Sequence, residues 1–363
     1  MPSTLALKVL AERREPSGRA SNHRERPEGS RPAATTEYNT ERVAGDKNLL
    51  PKKCFAIKQF AHRWFRGCST IQPGRHVDAW GSPIEIFSMA EARMNTLSVS
   101  QLSTLRWDLE SDVNAYAQRG FGGIGLYRPK VEDYGVERTI ELLEEHSMVA
   151  TSLSWGGGFT GSDGRPFEDA VSDAVSAVIQ AARLRAGTLI VLAGGKNNHI
   201  KTHLRRTLCQ ALVRVAAVAS EHGIKLALEP FHPGCGDEWS FVHDLQSTLD
   251  IIERVDNPSL GMVLDTYHVG MDRDAMRWLP DVARHLHLVQ LGDGRHCPHG
   301  EMNRCLLGDG CVPLPELIEV LHENGYCGSW EVELIGEDVE SISYDHLLDH
   351  TKRYLDQTLG QLC

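Results

Sequence analysis

The chain has 363 residues, 41% of them hydrophobic, and a formal net charge of −11, which is enough apolar material for one large domain or two ordinary ones and excludes a chain disordered throughout. The charge is uneven, with +6 over residues 1–93 and −17 over the remainder, and so acidic a body is a poor partner for nucleic acid. Nothing approaches the ~20 apolar residues of a membrane span, the N-terminus lacks a signal-peptide core, and nine scattered cysteines with no CxxC pair fit reduced thiols, so a soluble cytoplasmic protein is expected.

Taken in chain order, the first fifty residues centre on "REPSGRASNHRERPEGSRP", rich in Arg, Glu, Pro and Ser with no helical or strand period, and read as disorder. Residues 49–86 hold scattered aromatics, among them Phe60, Trp64, Phe65 and Trp80, without a stable element. Residues 1–93 are therefore expected to be a disordered or dispensable extension. Met94 stands just before the first convincing strand, "TLSVSQL" at Thr96. Seven more strands follow: "GIGLYR" at Gly123, "MVATSLSW" at Met148, "TLIVLAG" at Thr188, "KLALEP" at Lys225, "LGMVLDTYH" at Leu260, "HLHLVQLGD" at His285 and "GSWEVELI" at Gly328. Helical periods lie between them, over residues 108–119, 136–146, 167–185, 203–221, 245–255 and 273–284. In "PLPELIEVLHENG" Pro315 suits a first turn and Gly325 the position beyond the last; residues 345–359 close the chain. Eight strand-then-helix units predict an α/β fold, the (β/α)₈ TIM barrel, over residues 94–363. An open doubly wound sheet is the alternative, but "FGGIG", "GGGFTGSDG" and "AGGKNN" match neither dinucleotide-binding nor P-loop phosphate turns.

In such a barrel chemistry sits at the C-terminal strand ends. Strand five ends in Glu229, strand six in Asp265 with His268 three residues on, strand seven in Gln290, and strand eight in Glu331 and Glu333. A buried carboxylate without a partner is costly. Four adjacent strands that each bring an oxygen ligand to one rim are explained together by a shared divalent cation, Mn²⁺ or Mg²⁺ before Co²⁺ or Zn²⁺ because the ligands are oxygen-rich and sulfur-free. Cys297, His299, Cys305 and Cys311 match no common zinc spacing and read as loop residues.

"LALEPFHP", "GMVLDTYHVG", "HLVQLGDGRHCPHGE" and "GYCGSWEVEL", in this order, resemble the sugar phosphate isomerase/epimerase superfamily, the xylose isomerase-like barrels. The resemblance implies metal ligation by Glu229, Asp265, Gln290 and Glu333, with His268 and Arg295 facing substrate. Many members have His where Gln290 stands, and His287 competes for that position; Gln290 keeps the three-residue spacing to Asp293. Glu333 is taken over Glu331 because it lies five residues after Gly328. The resemblance further implies a sugar or sugar-derivative isomerase or epimerase that works through a metal-stabilised enediolate, with Glu229 and Glu333 as the acid/base pair. His232 and Trp155 are candidates to line the sugar pocket. Arg295, His296 and Arg304 either hold a substrate oxygen or are solvated loop charges. The expected partner is a small-molecule carbohydrate, not nucleic acid or membrane, and formation of a homo-oligomer is compatible with the pattern.

Two rival readings use the same scaffold, a dehydratase of an inosose or related keto-polyol and a non-catalytic sugar-binding barrel. An endonuclease IV-like enzyme is disfavoured, since "SLSWGG", "VLAGG" and "EMNRC" replace its extra histidines and its D-R-H triplet. A chain starting at Met94 is expected to fold and keep its activity. Melting temperature and turnover of the full and shortened chains check this, and loss of folding on shortening would refute it.

Overall fold

The structure, a computed structural model, describes residues 96–359, so the expectation for residues 1–93 lies outside the described residues. The eight strands are β1 Leu97–Ser100, β2 Gly123–Tyr127, β3 Val149–Gly157, β4 Thr188–Leu192, β5 Lys225–Leu228, β6 Leu260–Asp265, β7 Leu286–Leu291 and β8 Trp330–Val332. All neighbours are parallel, and β1 pairs with β8 through Leu97 to Trp330, Ser98 to Glu331 and Val99 to Val332, which closes the barrel in sequence order. The sequence places a strand at every one of these positions. Among the described residues no helix is long and apolar enough to cross a membrane.

The period of two along each strand decides what faces where. Leu226 and Leu228 of β5, Met262 and Leu264 of β6, Val289 and Leu291 of β7, and Trp330 and Val332 of β8 join the apolar layer under the helices. The alternate positions, Ala227, Val263, Leu288 and Glu331, are buried but absent from that layer and face the barrel interior. Two residues further along on the same parity come Glu229, Asp265, Gln290 and Glu333. A one-residue slip would turn this whole set outward.

The helices expected from periodicity form at Leu109–Gln118, Val136–Glu145, Phe167–Arg183, Lys201–Glu221, Leu245–Val255, Arg273–Val282, Leu314–Glu323 and Tyr344–Leu359. Asp108 and Asp244 cap two of them by accepting the Ser111 and Ser247 N–H groups at 2.8 and 2.7 Å. Pro315 sits in the first turn of its helix, and Gly325 follows the last with φ +83°. The helices absent from the sequence reading are short: Arg128–Tyr134, Pro233–Gly236, Thr266–Val269 and Glu337–Glu340. Segments of two turns or less carry too few residues to show an amphipathic period.

One glycine is set by close approach inside the barrel. A Cβ on Gly125 of β2 would lie 2.6 Å from the Glu331 carboxylate, which is pinned by Thr151 Oγ1 at 2.8 Å, Ser152 Oγ at 2.8 Å and Gln290 Nε2 at 3.1 Å. The carboxylate cannot give way without breaking those bonds. Gly125→Ala is therefore expected to destabilise the barrel by about 1–3 kcal/mol, the usual range for overpacking. Urea unfolding measures it, and an unchanged midpoint would mean that Glu331 moves freely.

Candidate functional site

Four strands in succession deliver the site. Glu229 follows β5 and is tied to β4 by its N–H to the Val191 carbonyl at 3.1 Å. Asp265 ends β6 level with Gln290 of β7, and Gln290 is level with Glu331 of β8. Glu333 lies one pleat above Glu331, with its N–H on the Leu291 carbonyl at 3.0 Å. Glu229, Asp265, Gln290 and Glu333 are each no more than 5% exposed.

Gln290 links the two glutamates of the last strand. Its Nε2 donates to Glu331 Oε1 at 3.1 Å and to Glu333 Oε2 at 2.7 Å. That consumes both amide protons and leaves Oε1 buried with no protein partner. His287, the competing residue, lies near the opposite end of the barrel, where its Nδ1 is 2.9 Å from the Leu226 carbonyl oxygen. Burial, followed by the Lys225 charge, lowers its pKa to about 4.

Asp265 also caps the short turn Thr266–Val269 by accepting the Tyr267 N–H at 2.8 Å, which folds His268 back over the site. The His268 ring is buried between Phe231, with centroids 4.3 Å apart, and Tyr267 at 5.4 Å. Its Nδ1 faces the His232 N–H at 3.4 Å, so the neutral ring that accepts there carries its proton on Nε2. Nε2 is buried without a hydrogen-bond partner, 3.9 Å from Asp265 Oδ2. Burial, then the Arg304 charge, holds the His268 pKa well below its ordinary value.

Arg304 is the main residue that the sequence reading left unresolved between site and solvated loop. It is 1% exposed, and donates to Asp265 Oδ2 at 2.7 Å and the Glu333 carbonyl at 2.7 Å, with Glu333 Oε1 at 3.2 Å. It is not a solvated charge. The signal available in "MNRCLLG" is a lone cation directly before an apolar run, which sequence alone does not separate from an ordinary loop edge. Asp293, read above only as a spacing mark, accepts the N–H groups of Gly294, Gly308, Gly310 and Val312 at 2.8 to 3.1 Å and so shapes the loop that carries Arg304.

The charges do not balance. Glu229, Asp265, Glu331 and Glu333 share one guanidinium. Burial, then repulsion from Glu333 and Asp265, pushes the Glu229 carboxyl well above its usual range. Burial raises Glu333 to about 7 against the opposing pull of Arg304. Such a set gains from a cation, and the residues fit one: oxygen donors from four strands, an unpartnered Gln290 Oε1, and carboxylate oxygens of Glu229 and Asp265 within 4.8 Å of each other. A ring atom of His268 lies within the same distance of both, and in the tautomer that accepts the His232 N–H its Nε2 carries the proton.

The other named residues are placed further out. Trp155 stands between Tyr127, 5.8 Å away, and Trp239 at 5.6 Å, an aromatic wall of which the sequence reading named only Trp155. His232 is half-buried, accepting the Gly234 N–H at Nδ1 and lying 3.4 Å from Cys297 Sγ at Nε2. Arg295 is exposed, 3.4 Å from Asp338, and is not brought to the carboxylates. Cys297 and Cys311 are exposed and Cys305 is buried, and none joins a metal-binding group among the described residues.

Residues 113–356 match the family model described as the xylose isomerase-like TIM barrel. An inosose isomerase from Halalkalibacterium halodurans is 25% identical over 159 residues, 42% of this chain and 54% of that protein. A D-psicose 3-epimerase from Ruminiclostridium cellulolyticum is 29% identical over 128 residues, 34% of this chain and 39% of that protein. The chain thus spans about half the length of these curated relatives or less. A crystal structure of the IolI protein with a bound zinc atom superposes with a TM-score of 0.65 at 18% identity, over 73% of this chain and 98% of that one. The closed parallel barrel, its polar C-terminal rim and a family match over nearly all of the described residues agree: the chain belongs to the xylose isomerase-like TIM barrel family.

Proposed function

We propose that this chain is a divalent-metal-dependent isomerase or epimerase of a sugar or sugar derivative. The observation that carries the reading is the buried rim of Glu229, Asp265, Gln290 and Glu333 with Gln290 Oε1 left without a partner. The names of the two curated relatives support the reaction class.

Glu229, Asp265, Gln290 and Glu333 are the residues that would hold the cation. When bound, a divalent ion polarises a substrate carbonyl and its neighbouring hydroxyl and makes the adjacent C–H acidic. Glu229 and Glu333, on strands three apart around the rim, remove and return that proton. Return to the same carbon from the other face epimerises, and return to the neighbouring carbon isomerises. His268 donates from Nε2 to a substrate oxygen. Trp155, with Tyr127 behind it, offers an aromatic face to the C–H side of a sugar ring. His232 and Arg295 form the outer rim.

Glu333→Gln keeps the shape and removes the base, so turnover and solvent-deuterium incorporation are expected to fall about 10²- to 10⁴-fold in a folded protein. Glu331→Gln is expected to retain much more of both while lowering the melting temperature, because Glu331 is bonded by Thr151, Ser152 and Gln290 below the rim. The opposite ranking in a deuterium-exchange assay across ketoses, inososes and hydroxypyruvate would move the active carboxylate down one pleat.

Metal and protons compete for the same carboxylates. A folded-state pKa raised above its unfolded value contributes stability at low pH that is lost as pH rises, here between about 4.5 and about 7 for Glu333. A cation binding the ionised form offsets that loss. The gain in melting temperature on adding Mn²⁺ to chelator-treated protein is therefore expected to be small at pH 5.5 and to grow up to pH 8. Differential scanning fluorimetry reads it, and a gain that does not change with pH would count against carboxylate ligation.

A further inference from the structure

Arg304 belongs to no strand or helix, yet it is the largest fully buried side chain among the described residues. Its place is fixed from the backbone outward. Its N–H donates to the Ile335 carbonyl at 2.9 Å, and the loop behind it is drawn round the Asp293 carboxylate by four backbone N–H groups. The guanidinium lies 4.9 Å from the centroid of the Tyr267 ring. Tyr267 is itself held at both ends, by its N–H on Asp265 Oδ1 and by its hydroxyl accepting the Asn303 N–H at 3.1 Å. On another side Gly292 leaves so little room that a Cβ there would lie 2.9 Å from Arg304 Nη1.

The fork spends its terminal nitrogens on three oxygens that come from two strands. Nη2 reaches Asp265 Oδ2 at 2.7 Å and Glu333 Oε1 at 3.2 Å, and Nη1 reaches the Glu333 carbonyl at 2.7 Å. With Tyr267 N–H on the second oxygen of Asp265 and Gln290 Nε2 on the second oxygen of Glu333, both oxygens of Asp265 and one of Glu333 accept hydrogen bonds, and Glu333 Oε1 is in ion-pair contact with Arg304. Each still has a lone pair to give.

We propose that Arg304 is a positioning residue for the metal site: its fork sets the separation and facing of Asp265 and Glu333, so that their free lone pairs are aimed before a cation arrives. This rests on the metal-dependent reading above. It goes beyond charge balance, and the two roles make opposite predictions. A nearby cation repels a bound divalent ion, so if Arg304 only neutralised charge its removal would tighten metal binding. If it aims the ligands, its removal weakens binding even though repulsion is relieved. A lysine keeps the charge but loses the planar fork.

The test is calorimetric titration of MnCl₂ into the metal-free full-length chain and into Arg304→Lys and Arg304→Met, with a thermal melt of each protein. Both variants are expected to bind Mn²⁺ about 10- to 100-fold more weakly, the loss seen when groups that orient metal ligands are removed. Arg304→Lys retains the internal positive charge and decides the matter if Arg304→Met does not fold. Parent-like affinity in a folded Arg304→Lys, or tighter binding in Arg304→Met, would overturn the positioning role and leave the metal site standing. A lower melting temperature at unchanged affinity would likewise reduce Arg304 to a structural residue. If the unaltered chain binds none of Mn²⁺, Mg²⁺, Co²⁺ or Zn²⁺, the metal reading itself falls and this proposal with it.

Discussion

The structure turns on a buried charge imbalance. Glu229, Asp265 and Glu333 stand close together at the mouth of the barrel with Glu331 one pleat below, and the guanidinium set against Asp265 and Glu333 is that of Arg304. Isolated buried charges cost several kcal/mol each even after relaxation, about as much as a whole domain's margin of stability. The site tolerates them in three ways. Glu331 is surrounded by hydroxyl and amide donors, Asp265 and Glu333 share Arg304, and the Glu229 carboxyl is pushed upward by burial and by its neighbours. A bound divalent ion would remove most of what remains.

The fold makes this arrangement by parity and by loop anchoring. Because side chains alternate along a strand, the interior positions form layers, and the polar layer of Glu229, Asp265 and Gln290 sits directly above Ala227, Val263 and Leu288. The layer below is buried, and Glu331 within it is bonded by Thr151, Ser152 and Gln290. Above it the loops supply what strands cannot. The turn after β6 returns His268 over Asp265, and the loop after β7, wound round Asp293, threads Arg304 in from the side. Strands thus place the carboxylates and Gln290, while loops bring Arg304 and His268 to them.

The mouth is divided in character. Its β5–β8 side carries the acids and His268, while Tyr127, Trp155 and Trp239 come from β2, β3 and the segment after β5. In the acidic half, burial raises the Glu333 carboxyl to about 7 against the pull of Arg304.

The sequence by itself determined the strands, the closed topology and which polar residue stands at or next to the C-terminal end of each of β5 to β8. Those follow from local patterns: apolar runs of strand length, helical periods between them and a carboxylate or amide at a fixed place in each unit. That Glu333 stands one pleat above Glu331, and that His287 has the opposite parity to Gln290, was also legible, because spacing along a strand converts into height and facing at a fixed rise per residue. Only the tertiary structure decided the rest. Arg304 lies 39 residues from Asp265 and 29 from Glu333, and no sequence period relates a loop residue to strands on either side of it. Whether it meets water or two carboxylates depends on how Asp293 folds the intervening loop. Arg295, nine residues before it and alike in charge, ends exposed beside Asp338. Trp239 joins Trp155 for the same reason, through backbone bonds that tie its segment to Gly194 after β4. Strand residues inherit their position from a repeating geometry, whereas loop residues receive theirs from contacts that exist only once the barrel has closed.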